Sequence, residues 1–228
     1  MVPVISNPSL SERQFIDLEE TIFFYSRNDY LIINNFLCGN MDHLWELAEI
    51  VNGDSKGMLK EHEDGVGTLD KKSIERYQNR IFEKLDEKAK EKILKIAKED
   101  ISNILNAMEP IKNEMLLYRT EWHARIGDVM SRYNVNDIME SKIISSTSIT
   151  PFLENLGHDF YRYEITVPKN GFVLELDRFD RFIRNEDGEV LLPPMKCKVK
   201  NKRNSDNKNC RGIIEVEYLE KLPANIPT

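Results

Sequence analysis

Over 228 residues the chain sets 32 Lys and Arg against 39 Asp and Glu, a formal charge of −7. That length suits one large domain, or a domain with a helical extension, and can bury a real core, while the acidic balance argues against general binding to nucleic acid or anionic membranes. No stretch reaches the ~20 apolar residues of a membrane span, and the start of the chain lacks the basic-then-apolar pattern of a secretory signal, so action in a cytoplasm is expected, the producing cell's or a host's.

In chain order, Ser11 to Gln14 reads as a capping box opening a helix whose apolar stripe is Phe15, Leu18 and Ile22. A second helix is expected through Tyr30, Ile33, Asn34 and Leu37, and a third from about His43 to Val51, with Trp45 and Leu47 as core anchors. Residues 53–67, rich in glycine and charge, read as a connection. From Asp70 to Met108 apolar residues recur every three or four positions, through Ile74, Tyr77, Ile81 and Leu85 and on to Ile93, Ala97, Ile101 and Leu105. Pro110 closes the helical half.

Beyond Pro110 the texture turns to short β-rich runs: 115–119, 142–146, 161–167, 171–176, 189–192 and 213–219. Asp187-Gly188 is a strong turn signal, and 125–139 reads as helical. Residues 196–211, with seven Lys and Arg against Asp206, read as a basic loop between the last two strands, open to an acidic partner, to RNA or to simple solvation. Helices first and strands second is the α+β pattern, divided as a helical region over 1–110 and a β-rich core over 111–228. Cys38, Cys197 and Cys210 lack zinc-ligand spacing and read as reduced thiols. His43, His62 and His158 do not pair with carboxylates at ligand spacing, so no metal is expected.

Chemistry concentrates where polar groups interrupt apolar strands, because desolvating them needs a reason. Arg119 closes the run Met115 to Tyr118 and is either paired with a buried carboxylate or aimed at an anionic ligand. Ser146 and Ser148, at alternate strand positions around Thr147, share one face and can hold a carboxylate or a ribose hydroxyl. Glu189 begins a strand just after the turn, where an ionised carboxylate can face a developing cation; Asp187, on the loop, can orient or deprotonate a nucleophile. His123 lies close in sequence to Arg119, but a core or surface histidine is the plainer reading.

Together these residues resemble the Arg–Ser–Glu mono-ADP-ribosyltransferases, which include bacterial toxins, secreted effectors and phage enzymes. The resemblance spans Leu116 to Leu219: Tyr118-Arg119, Ser146 to Ser148, the strand exit Ile165 to Lys169, and Glu189 to Pro194. A weaker match upstream, at Tyr25, Tyr30, Ile33 and Asn34, looks like the helix that covers NAD in the toxin branch. It implies two small antiparallel sheets forming an NAD cleft with N-terminal helices packed around them. It also implies a helical insertion around 55–85, suited to a partner or to stability.

By resemblance, Arg119 with Tyr118 holds the NAD diphosphate, and Ser146 orients Glu189 while Thr147 and Ser148 brace the pocket. Glu189 grips the nicotinamide ribose and stabilises an oxocarbenium ion. Asp187 stands where the family carries Glu or Gln and influences acceptor choice. Phe152 and Phe160 compete to stack on nicotinamide, and Thr120 replaces a glycine common after the arginine. The expectation is a monomeric enzyme moving ADP-ribose from NAD to a protein side chain. A glycohydrolase on the same fold, or an interaction protein with a vestigial pocket, are the alternatives.

Overall fold

The computed structural model describes residues 12–25, 29–66, 69–151, 159–179 and 188–224. The chain divides into two compact units, the first ending at Asn106 and the second running from Ala107 to Ala224.

The first unit is helical: α1 (Glu12–Phe24), α2 (Tyr30–Cys38), α3 (Met41–Glu63), α4 (Lys71–Arg80) and α5 (Glu87–Ala107). Ser11 lies outside the described residues. Gly39, at φ 71°, ends α2; its amide and that of Asn40 return to Phe36 and Asn35 carbonyls, the left-handed stop that glycine allows. The connection expected over 53–67 is instead helix as far as Glu63. Two glycines cost a helix about 1 kcal/mol each, but the stripe Leu44, Leu47, Ala48, Val51 and Ser55 stays buried through Gly53 and carries the helix onward.

The continuous periodicity of 70–108 is also two helices rather than one. Asp70 accepts from Ser73 N at 2.8 Å to open α4. At Ile81 the backbone turns extended, and the amide of Phe82 finds Asn52 Oδ1 of α3 at 3.1 Å instead of a helical carbonyl. Asp86 then accepts from Ala89 N at 2.9 Å to start α5.

A buried charge network ties α1, α4 and α5 to Asp29. The Arg80 guanidinium is ion-paired with Asp29, with Nε bonds of 3.1 and 2.8 Å to its two oxygens, and reaches Asp100 at 3.2 Å. Asp100 also pairs with Arg76 and accepts from Thr21 Oγ1 at 3.2 Å. The Phe24 ring lies under Arg80, 4.4 Å from centroid to guanidinium carbon.

The second unit is β-rich: β1 (Glu109–Pro110), β2 (Met115–Trp122), α6 (His123–Ile126), α7 (Val129–Arg132), β3 (Ile138–Ser141), β4 (Ser145–Ser148), β5 (Phe160–Val167), β6 (Phe172–Glu175), a 3-10 turn (Leu176–Arg178), β7 (Glu189–Leu192), β8 (Met195–Arg203) and β9 (Cys210–Lys221). In place of two small antiparallel sheets there is one nine-stranded sheet, ordered β1-β6-β7-β4-β2-β5-β9-β8-β3. It is mixed, because β5 and β9 run parallel. Among the described residues, the ladder between its two halves is the single pair of Tyr118 on β2 with Ser148 on β4. Val173, Val190 and Leu192 from one half share a core cluster with Leu117, Ile165, Val199, Ile214 and Val216 from the other.

Two further expectations give way. The helix over 125–139 breaks at Gly127 (φ 68°) and again past Arg132, where Asn136 takes φ 77°, and then becomes β3. The basic stretch after Pro194 is largely a strand. Met195, Cys197 and Val199 point inward and the lysines between them outward. Its charge is matched across the sheet: Lys196 to Glu220, Lys200 to Glu217, and Arg203 to Glu164 and Glu215.

Among the described residues no helix is long and apolar enough to cross a membrane. Cys38 is exposed, whereas Cys197 and Cys210 are buried, and burial pushes the Cys197 thiol up to about 12. Since the thiolate is the reactive form, a thiol reagent at neutral pH is expected to modify Cys38 first and the other two only after unfolding. Peptide mass spectrometry over a time course checks this.

Candidate active site

β4 lies between β2 and β7, and its four residues alternate. Ser145 and Thr147 are buried, while Ser146 and Ser148 are half-buried on the other face. Thr147 Oγ1 donates to the Val190 carbonyl at 2.6 Å, locking β4 to β7. Ser148 stands opposite Glu189 in the ladder and Ser146 opposite Leu191. The Ser146 hydroxyl nevertheless reaches diagonally and donates to Glu189 Oε1 at 2.5 Å. A hydroxyl–carboxylate bond this short is charge-assisted, and it sets the direction of the carboxylate.

Arg119 approaches the same point from β2. Its Nη1 donates to the Ser146 carbonyl at 2.7 Å. Its Nε donates to Glu121 Oε1 at 2.6 Å, and Nη2 is ion-paired with that carboxylate. The structure therefore brings Arg119, Ser146 and Glu189 into one chain of contacts. Of the two alternatives for Arg119, the structure supplies the carboxylate partner, Glu121. Glu121 escaped the sequence reading. The available signal was its spacing, since two residues along a strand lie on one face.

The turn before Glu189 is held from two sides. Gly188 sits at φ 88°; its amide donates to Asp177 Oδ1 at 3.0 Å, and its carbonyl accepts from Ile149 N at 3.0 Å. A Cβ there would lie 2.2 Å from Ile149 Cγ1. Gly188→Ala is expected to destabilise the fold by about 2–4 kcal/mol, from left-handed strain and overpacking together. Urea unfolding of the variant beside wild type measures it.

The remaining expected site residues fall differently. Tyr118 is half-buried, alternates with Arg119 along β2 and stands opposite Ser148 in the ladder. Tyr25 and Tyr30 belong to the first unit, where their rings meet edge to face at 6.3 Å. Phe160 is fully buried with Cys210 and Ile213 and offers no ring face to a ligand. The His123 ring is tilted against Tyr161 at 5.7 Å. Asp187 and Phe152 lie outside the described residues. Opposite Arg119 on β5, the phenol of Tyr163 is held above its ordinary pKa by burial first and the Glu121 charge second.

No protein-family model matches the sequence, and no curated protein matches it. Solved structures do. The catalytic domain of VahC from Aeromonas hydrophila superposes with a TM-score of 0.54 at 15% identity, over 89% of this chain and 97% of that one. An ADP-ribosyltransferase from Clostridium botulinum gives 0.52 at 16% identity, over 92% and 88%. BECa, the ADP-ribosylating toxin of a binary enterotoxin of C. perfringens solved with NADH, gives 0.51 at 14% identity, over 93% and 44%. With the likeness running along nearly its whole length, this chain has the fold of the bacterial mono-ADP-ribosyltransferase toxins.

Proposed function

We propose that the chain transfers ADP-ribose from NAD to a side chain of a target protein, releasing nicotinamide. The observation that carries this reading is the 2.5 Å bond from Ser146 to Glu189, with Arg119 latched to the same serine, on a fold shared with ADP-ribosyltransferases. The solution of BECa with NADH supports NAD as the substrate here.

Glu189, Ser146 and Arg119 each have a task that their contacts suit. Glu189 holds the 2′-hydroxyl of the nicotinamide ribose and stays ionised as positive charge grows on the sugar. Ser146 keeps that carboxylate aimed. Arg119 offers the diphosphate the N–H donors that Glu121 and Ser146 leave over. The C1′–N bond breaks with its electron pair leaving on nicotinamide. A lone pair of the acceptor then forms the new bond to C1′, and Asp187 takes the acceptor's proton. The leaving group is good, so positioning and charge stabilisation carry the rate.

The test incubates purified protein with labelled NAD and cell lysate, beside a Glu189→Ala control. A labelled protein band with wild type alone supports the transferase, and mass spectrometry then names the acceptor. Free ADP-ribose without labelled protein replaces the reading with NAD hydrolysis. No NAD binding by calorimetry and no nicotinamide release overturn it.

A further inference from the structure

Glu121 has no place in the motif that suggested the site, yet it makes the closest contact within it. Strand alternation sets it on the Arg119 face of β2. Its Oε1 takes one edge of the guanidinium, Nε and Nη2, while Nη1 goes to the Ser146 carbonyl. The two side chains are only 21% and 15% exposed. A pair withdrawn this far from water depends on its geometry to offset desolvation. A planar fork bonded on both sides has little freedom to rotate, so Glu121 fixes how Arg119 meets the Ser146 carbonyl. Ser146, on that strand, donates to Glu189.

The geometry points to Glu121 as a positioning residue for ADP-ribose transfer, acting through Arg119 and Ser146 on the aim of Glu189; this rests on the transferase reading of the same site. Two consequences separate. Without the carboxylate the guanidinium is free to turn, its bond to the Ser146 carbonyl loosens, and the chemical step slows. The same change strips Arg119 of its counter-ion and leaves its charge more available to a diphosphate, so ground-state binding of NAD does not weaken. A purely structural residue would move turnover, binding and melting temperature together.

The experiment measures nicotinamide release, NAD binding by calorimetry and thermal melting on the full chain. Glu121→Ala is expected to lower kcat about tenfold or more, the scale of a misplaced catalytic group, with Kd for NAD no weaker than wild type. Glu121→Gln, which still accepts from Nε, is expected to recover kcat to within about threefold of wild type. Wild-type kcat in Glu121→Ala, or kcat and Kd worsening by equal factors, overturns the assignment. Should Glu121→Ala not fold, Glu121→Asp decides: its charge is withdrawn by one methylene, so lowered kcat with retained Kd supports the role and wild-type kcat removes it. Wild-type protein that neither binds NAD nor releases nicotinamide overturns the transferase reading itself, a result distinct from any of these.

Discussion

Replacing Glu189 by glutamine is expected to lower nicotinamide release by about 10³-fold, while NAD binding changes little. Glutamine matches glutamate in size, and its amide oxygen can still accept the hydrogen bond that Ser146 now donates to Oε1. The turn at Gly188 and the pairing of β7 with β4 are backbone features that the change does not touch. What disappears is the negative charge that the proposed transfer sets beside the ribose. That charge matters little while NAD is intact and most when the C1′–N bond is nearly broken, so the loss belongs in kcat rather than in Kd. Single-turnover nicotinamide release with saturating enzyme measures the step directly. Activity within about tenfold of wild type, well short of what removing one electrostatic stabiliser costs, would take Glu189 out of the chemistry.

The meeting of Arg119, Ser146 and Glu189 was legible because these are residue types that apolar strands otherwise avoid. Arginine at the end of an apolar run, hydroxyls at alternate positions and a glutamate fixed by a glycine turn each carry a desolvation cost that flags them. Glu121, two residues past the arginine on the same strand face, carries the same desolvation cost, but only its contact with Arg119 shows it. Phe160 failed for the opposite reason: an aromatic residue near a motif looks like a stacking platform, and only the fold places it beside Cys210 and Ile213.

The helices were legible as helices, but their ends were set by contacts distant in sequence. Asn52 capturing the Phe82 amide splits one periodic run into two, and burial of Val51 and Ser55 carries α3 past its glycines. In β8 the alternation of Met195, Cys197 and Val199 with lysines is a strand pattern. It was hidden because counting charge looked for a basic patch, and the partner glutamates lie on other strands. The division of the sheet into halves follows from a single register pair, which no local pattern encodes.

The first unit carries the other large expected effect. Arg80→Met is expected to destabilise the protein by about 3–5 kcal/mol, the scale for removing one partner of a buried ion pair. Arg80 is 6% exposed and Asp29 7%, so the orphaned carboxylate would stay away from water. Asp100 would keep Arg76 but lose its second cation. The double variant Arg80→Met/Asp29→Leu is expected to recover much of the loss, because it removes the uncompensated charge together with its partner; the coupling from that cycle isolates the pair. pH supplies a second axis. Burial, partly offset by Arg76 and Arg80, pushes the Asp100 carboxyl up to about 6 from an ordinary value near 3.8. The folded state thus binds this proton more tightly than the unfolded chain does. Its contribution to stability is complete below the unfolded value and is lost as pH rises through about 6. Taking away Arg80 removes one of the two charges that favour the ionised form, which lifts the carboxyl further. The destabilisation of Arg80→Met is therefore expected to be smaller at pH ~5 than at pH ~7.5, because Asp100 can escape the burial of its charge by taking a proton. Urea unfolding of both proteins at the two pH values checks the sign. Equal losses at both would mean that water reaches the Asp100 carboxylate once Arg80 is gone.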